Sequence, residues 1–140
     1  METTLTILKP DSVAAGATGK ILDRFIQEGF TIRGLRLVRL TDAQARAFYE
    51  VHKERPFYGR LVEFMTSGPV VVAALERAGA VSHLRDVMGA TDSQKATPGT
   101  LRAEFGTDIE RNAVHGSDSP ENARREVGFF FTEGDLAATG

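Results

Sequence analysis

The stretch Val70-Val71-Val72-Ala73-Ala74-Leu75, following the breaker Ser67-Gly68-Pro69, is six apolar residues without polar alternation. A half-buried strand alternates with period two, so this unbroken, β-branched run predicts a strand buried on both faces or a very apolar edge. Upstream, Leu5-Thr6-Ile7-Leu8 alternates as a short strand and stops at Lys9-Pro10-Asp11, where proline removes a ladder donor. Within residues 19–28, Ile21, Leu22, Phe25 and Ile26 follow helical spacing, with Gly29 as the C-cap. Alternation returns over 30–40 and slips once near Gly34, which predicts a bulge. Thr41 and Gln44 form a capping-box signature ahead of a helix carrying Ala45, Phe48 and Tyr49. Beyond Arg55-Pro56, a second short helix is expected over 59–65. Downstream of the apolar run come a helix over 80–88 and a polar segment over 89–111 with one helical turn near 101–105. The chain then predicts a helix over 120–126, capped by Ser119 with Pro120 in its first turn, and a last strand over 127–131.

Setting aside the inserted helix pair and the long loop, the order is βαββαβ. That is the α+β, ferredoxin-like arrangement: a four-stranded antiparallel sheet with helices on one face. A chain of 140 residues reads as a single domain, 1–140. The formal charge of −2 is too mild for binding nucleic acid by bulk electrostatics, so no obligate nucleic-acid partner is expected. Any phosphate must instead meet locally placed cations. With no cysteine, the chain has no disulfide framework, thiolate metal site or thiol nucleophile, which fits a reducing, cytoplasmic compartment. Met1-Glu2-Thr3-Thr4 lacks the basic start of a secretory signal, and the apolar run over 70–75 is far too short to span a bilayer.

The densest chemistry lies in Asn112-Ala113-Val114-His115-Gly116-Ser117-Asp118-Ser119. Histidine's ordinary pKa, about 6.5, leaves a neutral, nucleophilic fraction near pH 7. His115 is expected on a loop just ahead of a helix start, where backbone N–H groups favour anions, with Gly116 letting a ligand approach the backbone. The other familiar phosphate devices are missing. Gly16-Ala17-Thr18-Gly19-Lys20-Ile21 has the wrong spacing for a P-loop, and no G-x-G-x-x-G follows a strand. His52, His83 and His115 lack metal-ligand spacing, so no protein-ligated metal is expected. Lys9, Arg85, Thr91 and Arg102 could cradle phosphates, although each taken alone reads more readily as a solvated or structural residue.

Taken in order, these segments are more specific than any one of them. Thr6-Ile7-Leu8-Lys9-Pro10-Asp11, Arg55-Pro56-Phe57-Tyr58, Met88-Gly89-Ala90-Thr91, Pro98-Gly99-Thr100-Leu101-Arg102 and the histidine octapeptide together resemble nucleoside diphosphate kinase from about residue 3 to 131. The resemblance implies transfer of the γ-phosphate of a nucleoside triphosphate to a nucleoside diphosphate, by a ping-pong route through phosphohistidine. It implies that His115 is the nucleophile, Glu126 orients its ring, Ser117 links to that carboxylate, and Tyr49 lies beside the histidine. Lys9 matches the catalytic lysine near the ribose and the transferring phosphate, Asn112 the amide on the sugar hydroxyl, Arg85, Thr91 and Arg102 match phosphate ligands, and Phe57 matches the aromatic that stacks on the base. Mg²⁺ would arrive on the nucleotide phosphates with few or no direct protein ligands, Asp118 reaching it through water. The resemblance also implies a homo-oligomer built from dimers. With the chain ending at Gly140, soon after the last expected strand, tetramer and hexamer both stay open. Two positions depart from the family pattern: Thr91-Asp92-Ser93 stands where Thr-Asn-Pro is common, and Tyr58 replaces a second phenylalanine. The competing reading is a ferredoxin-like nucleotide-binding regulatory module without turnover, since this architecture hosts many functions.

Overall fold

The computed structural model describes residues 1–137. The apolar run falls in strand β3 (Val70–Arg77), an inner strand between β1 (Glu2–Leu8) and β2 (Thr31–Val38). The short β4 (Val114–Gly116) pairs with the far side of β1, giving the order β2-β3-β1-β4 with every pairing antiparallel. Val71, Ala73 and Leu75 enter one apolar cluster, while Val70, Val72 and Ala74 enter another. Burial on both faces accounts for the missing alternation and rules out the edge position. The register of β2 on β3 shifts between Ile32 and Gly34, the bulge expected from the sequence.

Helices cover both faces of the sheet, which corrects the expectation of one covered face. On one side α2 (Thr18–Gln27) and α5 (Ala80–Met88) contribute Ile21, Phe25, Leu84 and Met88. On the other, α3 (Asp42–Phe48), α4 (Tyr58–Met65) and α7 (Pro120–Phe130) contribute Ala45, Phe48, Val62, Met65 and Phe130. The inserted helix pair therefore builds a second core. Phe25 and Phe48 are almost wholly buried, each stabilising the fold by roughly 1.5–3 kcal/mol. The capping box forms, with the Gln44 N–H donating to Thr41 Oγ1 and the Thr41 N–H donating to Gln44 Oε1. Two short helices, α1 (Pro10–Ala14) and α6 (Leu101–Phe105), complete the α-helices of the described residues. No described helix is long and apolar enough to cross a membrane.

Residues 127–130 continue α7 and form no strand, a second correction. Aromatic and β-branched residues favour strands locally, but Ala123, Val127 and Phe130 recur at helical spacing and bury one stripe. The fourth strand is instead the three residues around the histidine, so His115 sits on a strand and not on a loop. Gly116 also differs from its expected role. A Cβ there would lie 2.6 Å from Met88 Cε and 3.0 Å from a Leu84 methyl, so the glycine serves close packing of β4 on α5. Gly116→Ala should therefore destabilise the protein by about 1–3 kcal/mol through overpacking. A denaturant midpoint unchanged from the parent would contradict that packing.

Candidate active site

The histidine is held from three directions. Its backbone pairs with Ile7 of β1, and Thr6 Oγ1 donates to its carbonyl at 2.8 Å. Its Nε2 lies 2.7 Å from Glu126 Oε1, and Ser117 Oγ donates to that same oxygen at 2.9 Å. Ser117 is in turn fixed by the Leu5 N–H, which donates to its hydroxyl oxygen at 3.3 Å. Glu126 reaches the ring because Ser119 caps α7 and Pro120 starts it, which aims the helix at the strand. An ionised carboxylate only accepts, so the ring nitrogen facing it carries the proton and Nδ1 keeps the lone pair. The edges of Phe48 and Tyr49 meet the imidazole at centroid distances of 5.4 and 6.1 Å. Tyr49 Oη is buried with no hydrogen-bond partner among the described residues. Burial and the nearby Glu126 charge push its pKa above the usual phenol range, so it stays protonated and free to donate.

This ring lines a cavity of about 830 Å³, the size of a small-molecule site. Lys9, Tyr49, Phe57, Arg85, Thr91, Arg102, Asn112, Asp118 and Glu126 line it too, while Ser117 lies behind Glu126, fully buried. Lys9 Nζ donates to Asn112 Oδ1 at 2.8 Å. Burial first, and then the Arg102 charge, lower the lysine to about 8, against an opposing pull from Asp11. Asn112 Nδ2 donates to the carbonyls of Thr91 and Ile109, so the amide ties three segments together and keeps one Oδ1 lone pair. Arg102, on α6, donates from one terminal nitrogen to the Gly89 carbonyl at 3.0 Å and from the other to the Val114 carbonyl at 2.9 Å. Its Nε is buried and unpartnered among the described residues, and burial followed by the Arg85 charge lowers its pKa to about 10. The carbonyl of Gly89 is available because that residue holds φ +86, where a Cβ would collide with Thr100. Asp118 is kept below the usual carboxylate range, chiefly by the amide of Asn122.

At the outer end Phe57, 44 % exposed, has its ring 5.6 Å from that of His52. Ile109, 60 % exposed, lines the same cavity from the loop before β4. Sequence reasoning missed both Ile109 and His52 as parts of this wall. The available signal was one large apolar residue in an otherwise polar loop. An ion pair between Arg60 of α4 and Glu110 joins the two sides at this end.

The sequence profile described as nucleoside diphosphate kinase matches residues 2–136. The chain belongs to the nucleoside diphosphate kinase family. A curated nucleoside diphosphate kinase from a Nitratiruptor species is 54 % identical over 136 residues, covering 97 % of this chain and 99 % of that protein. The Aquifex aeolicus nucleoside diphosphate kinase structure superposes with a TM-score of 0.95 at 52 % identity, over 97 % of this chain and 99 % of that one. A Halobacterium salinarum nucleoside diphosphate kinase, solved in complex with CDP, gives a TM-score of 0.95 at 38 % identity, over 99 % and 93 % of the two chains. The chain is accordingly an enzyme, transferring phosphate from a nucleoside triphosphate to a nucleoside diphosphate. In the Thr91-Asp92-Ser93 segment, Asp92 caps a 3₁₀ turn (Ser93–Lys95), its Oδ1 accepting the Gln94 N–H at 3.0 Å. A side-chain cap thus orders this turn without a proline.

Proposed function

We propose that His115 carries the phosphoryl group between two nucleotides. Nδ1 attacks the γ-phosphorus, an N–P bond forms as the bridging P–O bond breaks, and the diphosphate leaves with the electron pair. A second diphosphate then attacks the phosphohistidine in the reverse sense. Covalent catalysis divides one transfer into two easier halves. Glu126 stabilises the developing imidazolium through the Nε2 hydrogen bond, and Ser117 holds that carboxylate in line. Arg102, Arg85 and Thr91 meet the phosphate oxygens. Tyr49 offers its free hydroxyl, while Lys9 and the spare lone pair of Asn112 take the ribose end. Phe57 stacks on the base, which tolerates every base because each has a π-face. That the halobacterial relative was solved with CDP supports a nucleotide as the ligand of this chain.

Among the described residues no three His, Cys, Asp or Glu side chains cluster as a metal group. The ionised, exposed carboxylate of Asp118, on the cavity wall, suits the outer hydration of a cation carried in by the substrate. Mg²⁺ bound to the nucleotide phosphates would offset their negative charge, with Asp118 the residue that holds its waters. The free side of β2 exposes Leu35 and Leu37, and α2 exposes Ile26, an apolar set that supports a homo-oligomer built from dimers. Tetramer and hexamer are both consistent with these exposed residues. A cytoplasmic location accompanies the reading, because a cysteine-free enzyme acting on nucleotides suits a reducing, nucleotide-rich compartment.

The observation that carries the proposal is the Ser117–Glu126–His115 chain at the wall of a cavity lined with cations. Brief incubation with γ-phosphate-labelled ATP should leave acid-labile, alkali-stable label on the protein, and a different diphosphate should chase it into the matching triphosphate. A nucleotide-binding regulator would bind ATP and take up no label.

A further inference from the structure

Ala113 is the only non-glycine residue with positive φ among the described residues, at +75°. The Val114 N–H donates to the Asn112 carbonyl at 2.9 Å, which closes a three-residue γ-turn of the rare, strained hand around Ala113. The turn separates Asn112, which pairs with Lys9, from the strand that bears His115. Both peptide groups of Ala113 are gripped from the Lys9-Pro10-Asp11-Ser12 corner. Its N–H donates to Asp11 Oδ2 at 3.1 Å, and its carbonyl accepts from the Lys9 N–H at 2.8 Å and Ser12 Oγ at 2.9 Å. Asp11 does not line the cavity. Its other carboxylate oxygen is buried with no partner among the described residues. Leaving a carboxylate oxygen unpaired is unfavourable, so the grip on Ala113 is the clearest use the structure makes of this side chain.

We propose that Asp11 is a positioning residue for phosphoryl transfer: by clamping the left-handed Ala113 peptide, it sets where the Lys9–Asn112 pair holds the nucleoside relative to the His115 ring. The inference rests on His115 being the phosphate carrier. An alanine backbone resists φ > 0 because its Cβ crowds the following carbonyl. Without the clamp the turn relaxes, and the ribose end shifts against a nucleophile that β1 still holds through Ile7 and Thr6. Misplacement of about 1 Å between reacting groups lowers rate on the order of 10²-fold.

The test uses two phosphate donors. A nucleoside triphosphate depends on the ribose contacts, whereas phosphoramidate, lacking a nucleoside, reads the histidine alone. Asp11→Ala should lose about 10²-fold in kcat for nucleotide exchange, with KM changed far less and with phosphoramidate labelling of His115 within about twofold of the parent. Asp11→Asn, which keeps an acceptor for the Ala113 N–H, should retain near-parent exchange. Glycine adopts positive φ readily, so Asp11→Ala combined with Ala113→Gly should recover about tenfold in kcat over Asp11→Ala alone. Equal loss with both donors, failure of the asparagine or glycine variants to restore exchange, or unchanged exchange in Asp11→Ala would each overturn the proposal. If Asp11→Ala does not fold, the double variant against the parent still decides it. Absence of label on the parent protein would instead remove the phosphohistidine reading itself.

Discussion

His115→Ala should transfer no measurable phosphate between nucleotides, a loss on the order of 10⁶-fold, the scale that follows removal of a covalent nucleophile. The protein should stay folded. The imidazole is half-buried, and its backbone pairing to Ile7 does not depend on the side chain. The buried Glu126 loses one hydrogen-bond donor and keeps the other, the Ser117 hydroxyl. Leaving part of a buried acceptor unpaired costs about 1–3 kcal/mol, a shift that a denaturation curve resolves without loss of the native state. Nucleotide affinity should fall little, since Lys9, Arg102 and Phe57 remain. Exchange assayed beside equilibrium binding separates the two effects. Turnover retained at more than a trace, in protein free of parent contamination, would remove His115 from the chemistry.

What the chain announces locally and what it withholds follow from the range of each interaction. The run over 70–75 is legible because two-sided burial acts on every residue in it. The Thr41 capping box is legible because its partner lies three residues away, and the Gly34 bulge because the slip in alternation falls within one strand. Residues 127–130 mislead because aromatic propensity is local, while the contacts that make them helical come from the cluster around Phe48, Val62 and Met65. β4 is three residues long and offers no periodicity to read; its existence depends on β1, more than a hundred positions away. Lys9 and Asn112 illustrate the same limit at the site: 103 positions separate them, and nothing within either segment identifies the partner. Motif resemblance bridged that distance for Lys9, Asn112 and Glu126. It did not bridge it for Ile109 or for Ala113, whose left-handed backbone an alanine in a sequence gives no reason to expect.

Arg102→Lys should lose on the order of 10³-fold in kcat/KM despite keeping a positive charge, the scale on which arginines act in phosphoryl transfer. The reason is geometric. One planar guanidinium donates to the carbonyls of Gly89 and Val114 and still has N–H groups left over, including the buried Nε. A lysine ammonium is a compact charge with three donors and no rigid fork, so holding both carbonyls leaves it little to offer a phosphate. The Val114 contact matters doubly, because that carbonyl immediately precedes His115. The pH profile adds a second reading. Arg102, lowered to about 10 by burial and by Arg85, remains charged at neutral pH. A lysine in the same surroundings starts from a lower ordinary pKa and suffers the same burial, so it sheds its proton at lower pH than the arginine. Residual activity of the variant should therefore fall with rising pH earlier than the parent's does. Unfolding is checked separately by a melting curve, because the carbonyl contacts also brace α5 against β4. Near-parent exchange with a parallel pH profile would mean that the fork does no more than any cation at that place.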